Sequence, residues 1–274
     1  MSHVRWSVCA LLFFATTVNY VDRQVLSFLA LTLQTTIGWT TIDYGYITAA
    51  FQAAYGVGLL GAGWFMDRLG TRKGFALAVG LWSLAAIAHA AAFSAFTFGA
   101  ARALLGLGES ASFPACNKAV AEWFPKKERA LAFGLFNSGA NIGAVIVPLT
   151  IPWLALTFGW RAAFVATGAL GFVWLVFWWL LYAQPAEHHA VSPAELALIQ
   201  SDPPDKVQSL PWSRLLPKRE TWAYACGKFL TDPIWWFYMT WLAKFFHDRH
   251  GLSLSEFGAP LVVIFVLADI GSVG

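Results

Sequence analysis

Long apolar runs separated by shorter polar segments dominate the chain. A membrane-spanning helix needs about 20 consecutive, mostly apolar residues, and runs of that length recur along the sequence. They predict six spans near residues 6–33, 43–65, 74–94, 96–122, 130–155 and 161–183, a seventh near 219–246 and an eighth starting near Phe257. The first run is too long for a cleavable signal peptide and contains an Asp-Arg pair. The pattern predicts an all-α membrane protein.

Composition supports this prediction and excludes other classes. Of the 274 residues, 58% are apolar and 12% charged, whereas a soluble domain has about 25% charged residues. The net charge of +3 is too small to suggest a nucleic-acid partner. The loops contain no metal triad, nucleophile elbow or phosphate-binding loop, so we expect neither an enzyme nor a bound metal or cofactor.

The distribution of Lys and Arg predicts the orientation. Eleven of them fall on one side of the predicted spans, namely Arg5, Arg68, Arg72, Lys73, Lys126, Lys127, Arg129, Lys206, Arg214, Lys218 and Arg219. The other side has three, at Arg161, Lys244 and Arg249. The positive-inside rule therefore predicts a cytoplasmic N-terminus in a multi-pass protein of the inner or plasma membrane.

One long polar segment divides the chain into three parts. We expect a six-helix bundle over 1–183, a central cytoplasmic loop over 184–218 and the start of a second bundle over 219–274. The central segment reads as a solvated linker with one short helix, which Ser192 caps and Pro193 begins. Because the sequence stops inside the apolar run of the eighth span, we expect the rest of a second bundle to be missing.

Four charged side chains lie inside predicted spans: Asp22 and Arg23 in the first, and Arg102 and Glu109 in the fourth. Each would cost roughly 2.5–3.5 kcal/mol if it faced lipid, so they must face one another or a watery cavity. Arg102 and Glu109 share a helix face about 10 Å apart along the axis. Two interpretations remain open, either ion pairs that fix the first span against the fourth, or an anion site beside a proton carrier.

Other polar side chains can join the same cavity. Gln52 and Tyr55 are three residues apart in the second span, and Asn137 and Asn141 are four apart in the fifth, so each pair shares a helix face. Tyr20 lies about 160° from Asp22 on a straight helix. The asparagines suit hydrogen bonds between helices as well as they suit substrate contact.

The seventh span carries a charged pair and several aromatic residues. Lys228 and Asp232 are four apart and can pair across one helical turn, although Lys228 could instead snorkel to the interface. Trp236 belongs to a cluster of Trp and Tyr that suits either a membrane-interface belt or a face on which a sugar ring stacks.

The segment between the second and third spans carries a specific motif. It reads GWFMDRLGTRKG and resembles the loop signature of the major facilitator superfamily at Gly63, Asp67, Arg68, Gly70, Arg72 and Lys73. The resemblance implies a fold of twelve helices in two six-helix halves, of which this chain would contain about eight. It also implies that the loop acts as a conformational latch, with Asp67 pairing to basic groups and helix ends.

The segments NYVDRQVLS, RALLGLGESASFP and GWRAAF resemble the anion:cation symporter branch of that superfamily, and KFLTDPIWWFY resembles its hexuronate transporters. This resemblance implies that Arg23 holds a substrate carboxylate. It further implies that Asp22 and Glu109 couple to the proton, and that Arg102 pairs with these acids. Tyr20 and Tyr55 match cavity tyrosines.

We therefore expect a proton-coupled importer of a hexuronate that works by alternating access. Its partners would be a small organic anion, the proton as coupling ion, and the lipid bilayer. In the substrate site we expect Arg23, Tyr20, Gln52, Tyr55, Asn137, Asn141 and Trp236. A symporter for an aldonate, an aldarate or another organic anion remains an alternative, as does a membrane sensor that binds a sugar acid without transport.

Overall fold

The computed structural model describes residues 3–202, 212–253, 256, 260–264, 266 and 267, which contain helices and no β-strand. The α-helices are α1 (Val4–Ile37), α2 (Thr41–Ala88), α3 (Ala95–Glu109), α4 (Ser112–Trp123), α5 (Lys126–Phe158), α6 (Trp160–Leu181), α7 (Pro193–Ile199), α8 (Trp212–Leu215) and α9 (Arg219–His250). Residues 260–264, 266 and 267 are also helical. Phe257, where the eighth span is predicted to start, lies outside the described residues.

The second and third predicted spans lie on the two sides of a break inside α2. Gly70 has φ 74° and ψ 160°, which are not helical angles. A left-handed φ favours glycine because a Cβ would clash with the backbone. The break falls within the GWFMDRLGTRKG motif, so the motif connects the two spans as the sequence predicts.

The fourth predicted span forms two consecutive helices, α3 and α4, with a short break between them. The chain leaves the helix after Glu109, turns at Ser110 and Ala111, and resumes as α4 at Ser112. Pro114 explains the position of the break. Its ring lacks an N–H and crowds the carbonyl group four residues earlier, which belongs to Ser110. Glu109 therefore stands at the end of a helix inside the bundle.

Small residues let the helices approach closely. A Cβ added at Gly143 on α5 would lie 2.9 Å from the carbonyl oxygen of Thr17 and 3.1 Å from Cβ of Tyr20 on α1. Gly139, one turn earlier, meets the backbone of Phe13 in the same way. The small-xxx-small spacing thus lets α5 pack against α1, as such spacings do in membrane helices.

The first part of the linker is packed against the bundle, which corrects the prediction of a solvated segment. Ser192 caps α7 by accepting a hydrogen bond from the backbone N–H of Glu195 at 3.2 Å, as predicted. However, Glu195 is fully buried and Ile199 is also buried. Residues 203–211 of the linker lie outside the described residues.

The outer faces of the bundle are apolar. Many large side chains there are well exposed, among them Leu60 on α2 and Leu180 on α6, each at 70%. In a membrane such side chains contact lipid. By length and composition, four elements can cross a bilayer within the described residues: Val4–Ile37, Thr41–Ala91, Lys126–Phe158 and Trp160–Leu181. The second of these includes the break at Gly70.

Two apolar clusters fill the interior, and a polar layer separates them along α1. The first cluster includes α1 as far as Ala15, and the second resumes on α1 at Tyr20. Between them Thr16, Thr17 and Asn19 are buried polar residues. The charged residues of α1 follow directly, so the fold positions them near the middle of the bundle.

Candidate functional site

A buried ion pair joins the middle of α1 to the end of α3. The Nε–H of Arg23 donates to Oε2 of Glu109. The arginine is 5% exposed and the glutamate is fully buried. The break at Ser110 ends α3 at Glu109, which brings this carboxylate to the face of α1. The structure therefore pairs Glu109 with Arg23, and not with Arg102 as the sequence resemblance implies.

The two terminal nitrogens of Arg23 have no hydrogen-bond partner although both are buried. Aromatic rings surround the guanidinium group instead. Its central carbon lies 4.6 Å from the ring centroid of Tyr55, 5.1 Å from that of Tyr20 and 5.2 Å from that of Trp236. Cation–π contacts hold the charge without using its N–H groups. The donor capacity of Nη1 and Nη2 is therefore not used by carboxylates of the described residues.

Arg102 has a different function in the packing. Its Nη2–H donates to the backbone carbonyl of Arg23 at 2.6 Å, and its Nη1–H donates to that of Asp22 at 3.4 Å. Arg102 makes no carboxylate ion pair among those described. It ties α3 to the backbone of α1 at Asp22 and Arg23. It therefore fixes the position of the Arg23 backbone relative to α3.

Asp22 is buried at 2% exposure, and neither carboxylate oxygen has a hydrogen-bond partner. Its electrostatic neighbours are Glu109, Arg102 and the Thr167 hydroxyl. A buried carboxylate without a hydrogen bond is unfavourable while it is ionised. Asp22 and Glu109 therefore form a pair of interacting acids on one side of Arg23.

A cavity beside Arg23 contains three of the residues predicted for the substrate site, Arg23, Gln52 and Trp236. It is lined by Arg23, Gln24, Ser27, Tyr44, Thr48, Phe51, Gln52, Arg102, Trp236, Met239 and Thr240. A wider groove between α2 and α9 shares Thr48, Gln52, Trp236 and Thr240 with it and continues past Lys228 and Asp232. The groove thus adjoins the cavity at these four residues.

Sequence reasoning missed Gln24 and Phe51 in this cavity. Both polar atoms of the Gln24 side chain are buried without a partner. The Phe51 ring lies 5.5 Å from the guanidinium carbon of Arg23 and 5.2 Å from that of Arg102. A glutamine beside an Asp-Arg pair in an apolar span was an available signal for Gln24. Nothing in the sequence distinguishes Phe51 from a packing residue.

The two asparagines of α5 are not part of this cavity. Asn137 is exposed and Asn141 is half-buried, and they lie on the helix whose glycines pack against Thr17 and Tyr20. The predicted pair of α9 is present, because Nζ of Lys228 lies 2.8 Å from the Asp232 carboxylate.

The predicted loop motif forms contacts with two neighbouring helices and within α2. Asp67 pairs with Lys118 of α4 at 2.7 Å, and Arg72 donates to the carbonyl of Trp179 on α6 at 2.8 Å. Arg68 lies 5.6 Å from the ring of Trp64. The remaining motif positions Gly63, Gly70 and Lys73 flank these contacts within α2.

An acidic residue of α4 completes this end of the bundle. The Thr71 hydroxyl donates to Glu122 at 2.7 Å and the Tyr182 hydroxyl donates to it at 2.6 Å. Sequence reasoning missed both Lys118 and Glu122. Among the described residues, no group of three or more His, Cys, Asp and Glu side chains is arranged to hold a metal ion.

Comparison with known proteins gives a family. The Major Facilitator Superfamily model matches residues 12–274. The chain is 33% identical over 275 residues to the hexuronate transporter of Escherichia coli (strain K12), an alignment that covers 98% of this chain and 64% of that protein. It is 33% identical over 273 residues to a probable galactarate/D-glucarate transporter of Bacillus subtilis (strain 168), covering 93% of this chain and 60% of that protein.

The fold is similar to that of a bacterial homologue of the human lysosomal transporter Spinster, crystallised in an inward-facing and unoccupied conformation. The TM-score is 0.79 at 20% sequence identity, over 99% of this chain and 61% of that one. The chain thus spans less than two thirds of the length of these proteins. With its predicted motif, helical fold and membrane-spanning segments, it belongs to the Major Facilitator Superfamily, a family of integral membrane transporters and not of enzymes.

Proposed function

We propose that the protein takes part in proton-coupled uptake of a hexuronate by alternating access. One observation carries this proposal: a buried arginine beside an open cavity has two unpartnered terminal nitrogens and a glutamate on its third. Guanidinium groups bind carboxylates in a bidentate manner through two parallel N–H donors. The hexuronate transporter of Escherichia coli, which is 33% identical, supports this substrate class.

The substrate carboxylate lies on Nη1 and Nη2 of Arg23, and the sugar ring extends toward the larger groove between α2 and α9. Trp236 and Tyr55, tilted at 59° to each other, present ring faces to a sugar ring. Gln52 and Tyr20 offer hydrogen bonds to the sugar hydroxyl groups. A hexuronate carries a single charge, at its carboxylate. The one free edge of the Arg23 guanidinium group is therefore enough to bind it.

Glu109 and Asp22 carry the proton. While Glu109 is ionised it neutralises Arg23, and when it takes a proton it releases that charge to the substrate carboxylate. Binding of the proton and binding of the anion therefore favour each other. A proton on Glu109 frees Arg23 for the anion, and an anion on Arg23 frees Glu109 for the proton. Arg102 keeps the α1 backbone in register during this exchange through its two carbonyl contacts.

The cavity is reached from the cytoplasmic side in this conformation. Tyr44 donates to the carbonyl of Thr240 at 2.7 Å and its ring contacts Trp241, which covers one end of the space. The groove between α2 and α9 leaves the other end accessible. We place the protein in an inner or plasma membrane with its N-terminus in the cytoplasm. The motif from Gly63 to Lys73 then acts as the latch on the cytoplasmic side.

A second candidate substrate is an aldarate, which carries a carboxylate at each end. It is favoured by the 33% identity to a probable galactarate/D-glucarate transporter. The chain is equally identical in sequence to this protein and to the hexuronate transporter. The charges of the cavity must therefore decide whether the substrate carries one carboxylate or two.

The test is glucuronate uptake into proteoliposomes with an acidic exterior. We expect the protein to accumulate labelled glucuronate, and Glu109→Gln to exchange it without accumulating it, because a neutral amide cannot take up or release the proton. Glu187→Gln, an exposed linker residue, is the matched control and should behave as the original protein. Undiminished acid-driven accumulation by Glu109→Gln would contradict the coupling role.

A further inference from the structure

The groove that adjoins the cavity of Arg23 contains a further cation, Lys228, whose charge is neutralised by a neighbouring residue. Lys228 lines the groove together with Gln52 and Trp236, and both of these residues also line the cavity of Arg23. Lys228 therefore borders, from α9, the groove that adjoins the cavity of Arg23.

Asp232 neutralises this cation. The two side chains are four residues apart on α9, and Nζ of Lys228 lies 2.8 Å from Oδ1 of Asp232. Both line the groove, at 52% and 41% side-chain exposure, so a ligand entering the space meets them as a pair. Of the cations facing this space, Arg102 donates to backbone carbonyls. Among the described cationic residues that line the cavity and the groove, Arg23 alone presents unpaired terminal donors.

From this arrangement we propose that Asp232 is a specificity-determining residue that limits the site to sugar acids with one carboxylate. This inference rests on the proposed function and names its substrate class. A monocarboxylate places its charge on Arg23 and its hydroxyl groups toward α9. An aldarate would bring its second carboxylate toward Lys228, where it meets the negative charge of Asp232 and gains no free donor.

The balance of charge supports the same conclusion. With all groups ionised, the positive charges of Arg23, Arg102 and Lys228 equal the negative charges of Asp22, Glu109 and Asp232. One proton on Glu109 leaves a single positive charge for the ligand, which one carboxylate neutralises. A second carboxylate leaves an unbalanced negative charge in a partly desolvated space, which is unfavourable.

The chain offers a matched control on the same helix. Lys244 and Asp248 form another pair four residues apart, at 3.0 Å, but neither lines the cavity or the groove. Asp248→Asn therefore breaks a similar pair without changing the charge that faces the ligand. The proposal concerns the ratio of the dissociation constants for glucarate and glucuronate, and this ratio does not depend on the amount of folded protein.

The experiment measures both dissociation constants for the purified protein in detergent by titration calorimetry. We expect preference for glucuronate in the original protein, at least a tenfold shift of the ratio toward glucarate in Asp232→Asn, and no shift in Asp248→Asn. The double variant Lys228→Gln/Asp232→Asn should return the ratio to its original value. It also removes Lys228, the cation that Asp232→Asn alone leaves without a partner.

Three results would overturn the proposal in distinguishable ways. Glucuronate binding with an unchanged ratio in Asp232→Asn contradicts the role of Asp232 and leaves the proposed function intact. A preference of the original protein for glucarate contradicts the single-carboxylate class. Binding of neither sugar acid by the original protein contradicts the proposed function, and this inference with it.

Discussion

At the scale of single residues, the cost of exposing charge to lipid made the burial of four charged side chains predictable, but not their pairing. Asp22, Arg23, Arg102 and Glu109 cannot face lipid, and all four are buried together in the bundle. Which arginine meets Glu109 depends on the rotation and height of two helices whose residues are 86 positions apart. Sequence spacing describes one helix at a time. It could not show that Glu109 pairs with Arg23 and not with Arg102.

Trp236 gives the first prediction at this scale. Its ring lies 5.2 Å from the guanidinium carbon of Arg23 and lines both the cavity and the groove. Removing a cation–π partner costs roughly 0.5–2 kcal/mol. Trp236→Ala should therefore bind glucuronate about tenfold more weakly, which corresponds to about 1.4 kcal/mol, and Trp236→Phe should retain most of the affinity.

Trp153→Ala is the control for this change, because Trp153 is 58% exposed on the outer face of α5. Equilibrium binding of labelled glucuronate measures all three variants. Equal affinity in Trp236→Ala and Trp153→Ala would show that the ring does not contact the ligand.

At the scale of elements, breaks and caps were predictable from local chemistry. Gly70 and Pro114 each mark a place where the helix cannot continue unchanged, and Ser192 with Pro193 marks the start of α7. The docking of α7 was not predictable. Its buried residue Glu195 is stabilised by Arg5, which lies 190 residues earlier, and no local pattern reports such a partner.

Acidic linker residues cap two helices that have no side-chain cap of their own. The Glu195 carboxylate accepts hydrogen bonds from the backbone N–H groups of Val4 and Arg5, each at 3.2 Å, at the start of α1. Asp202 accepts one from the backbone N–H of Lys126 at 2.6 Å, at the start of α5. Carboxylates are favourable at helix N-termini because of the unsatisfied N–H groups there.

This arrangement predicts that Glu195→Ala destabilises the bundle. The change leaves two N–H groups of α1 without their acceptor and removes one partner of a buried ion pair, at 3.0 Å from Arg5. Because Arg5 keeps Glu128 at 3.1 Å, we expect the low end of the usual range, a loss of about 3 kcal/mol in the free energy of unfolding.

Equilibrium unfolding in mixed micelles measures this loss. Glu187→Ala is the control, since Glu187 belongs to the same linker but is exposed. A Glu195→Ala protein as stable as the Glu187→Ala protein would mean that the linker does not stabilise the bundle.

At the scale of the whole molecule, one polar layer in an apolar bundle connects the parts described above. α9 packs its buried residues Met239, Leu242 and Ala243 against the second apolar cluster, while its earlier residues border the groove. The groove between α2 and α9 therefore adjoins the cavity of Arg23. The helical membrane fold and the family could be predicted from hydrophobic runs and the loop motif, because both are local properties.

The central claim is that the free edge of Arg23 binds a sugar-acid carboxylate, and Arg23→Lys tests it most directly. Lysine keeps the charge but cannot form two parallel hydrogen bonds. Arg161→Lys is the control, because Arg161 contacts Trp160 and the carbonyl of Ala90, away from the cavity. In titrations of the purified protein with glucuronate, we predict at least tenfold weaker binding in Arg23→Lys and unchanged binding in Arg161→Lys. Equal binding by the original protein and Arg23→Lys would contradict the claim.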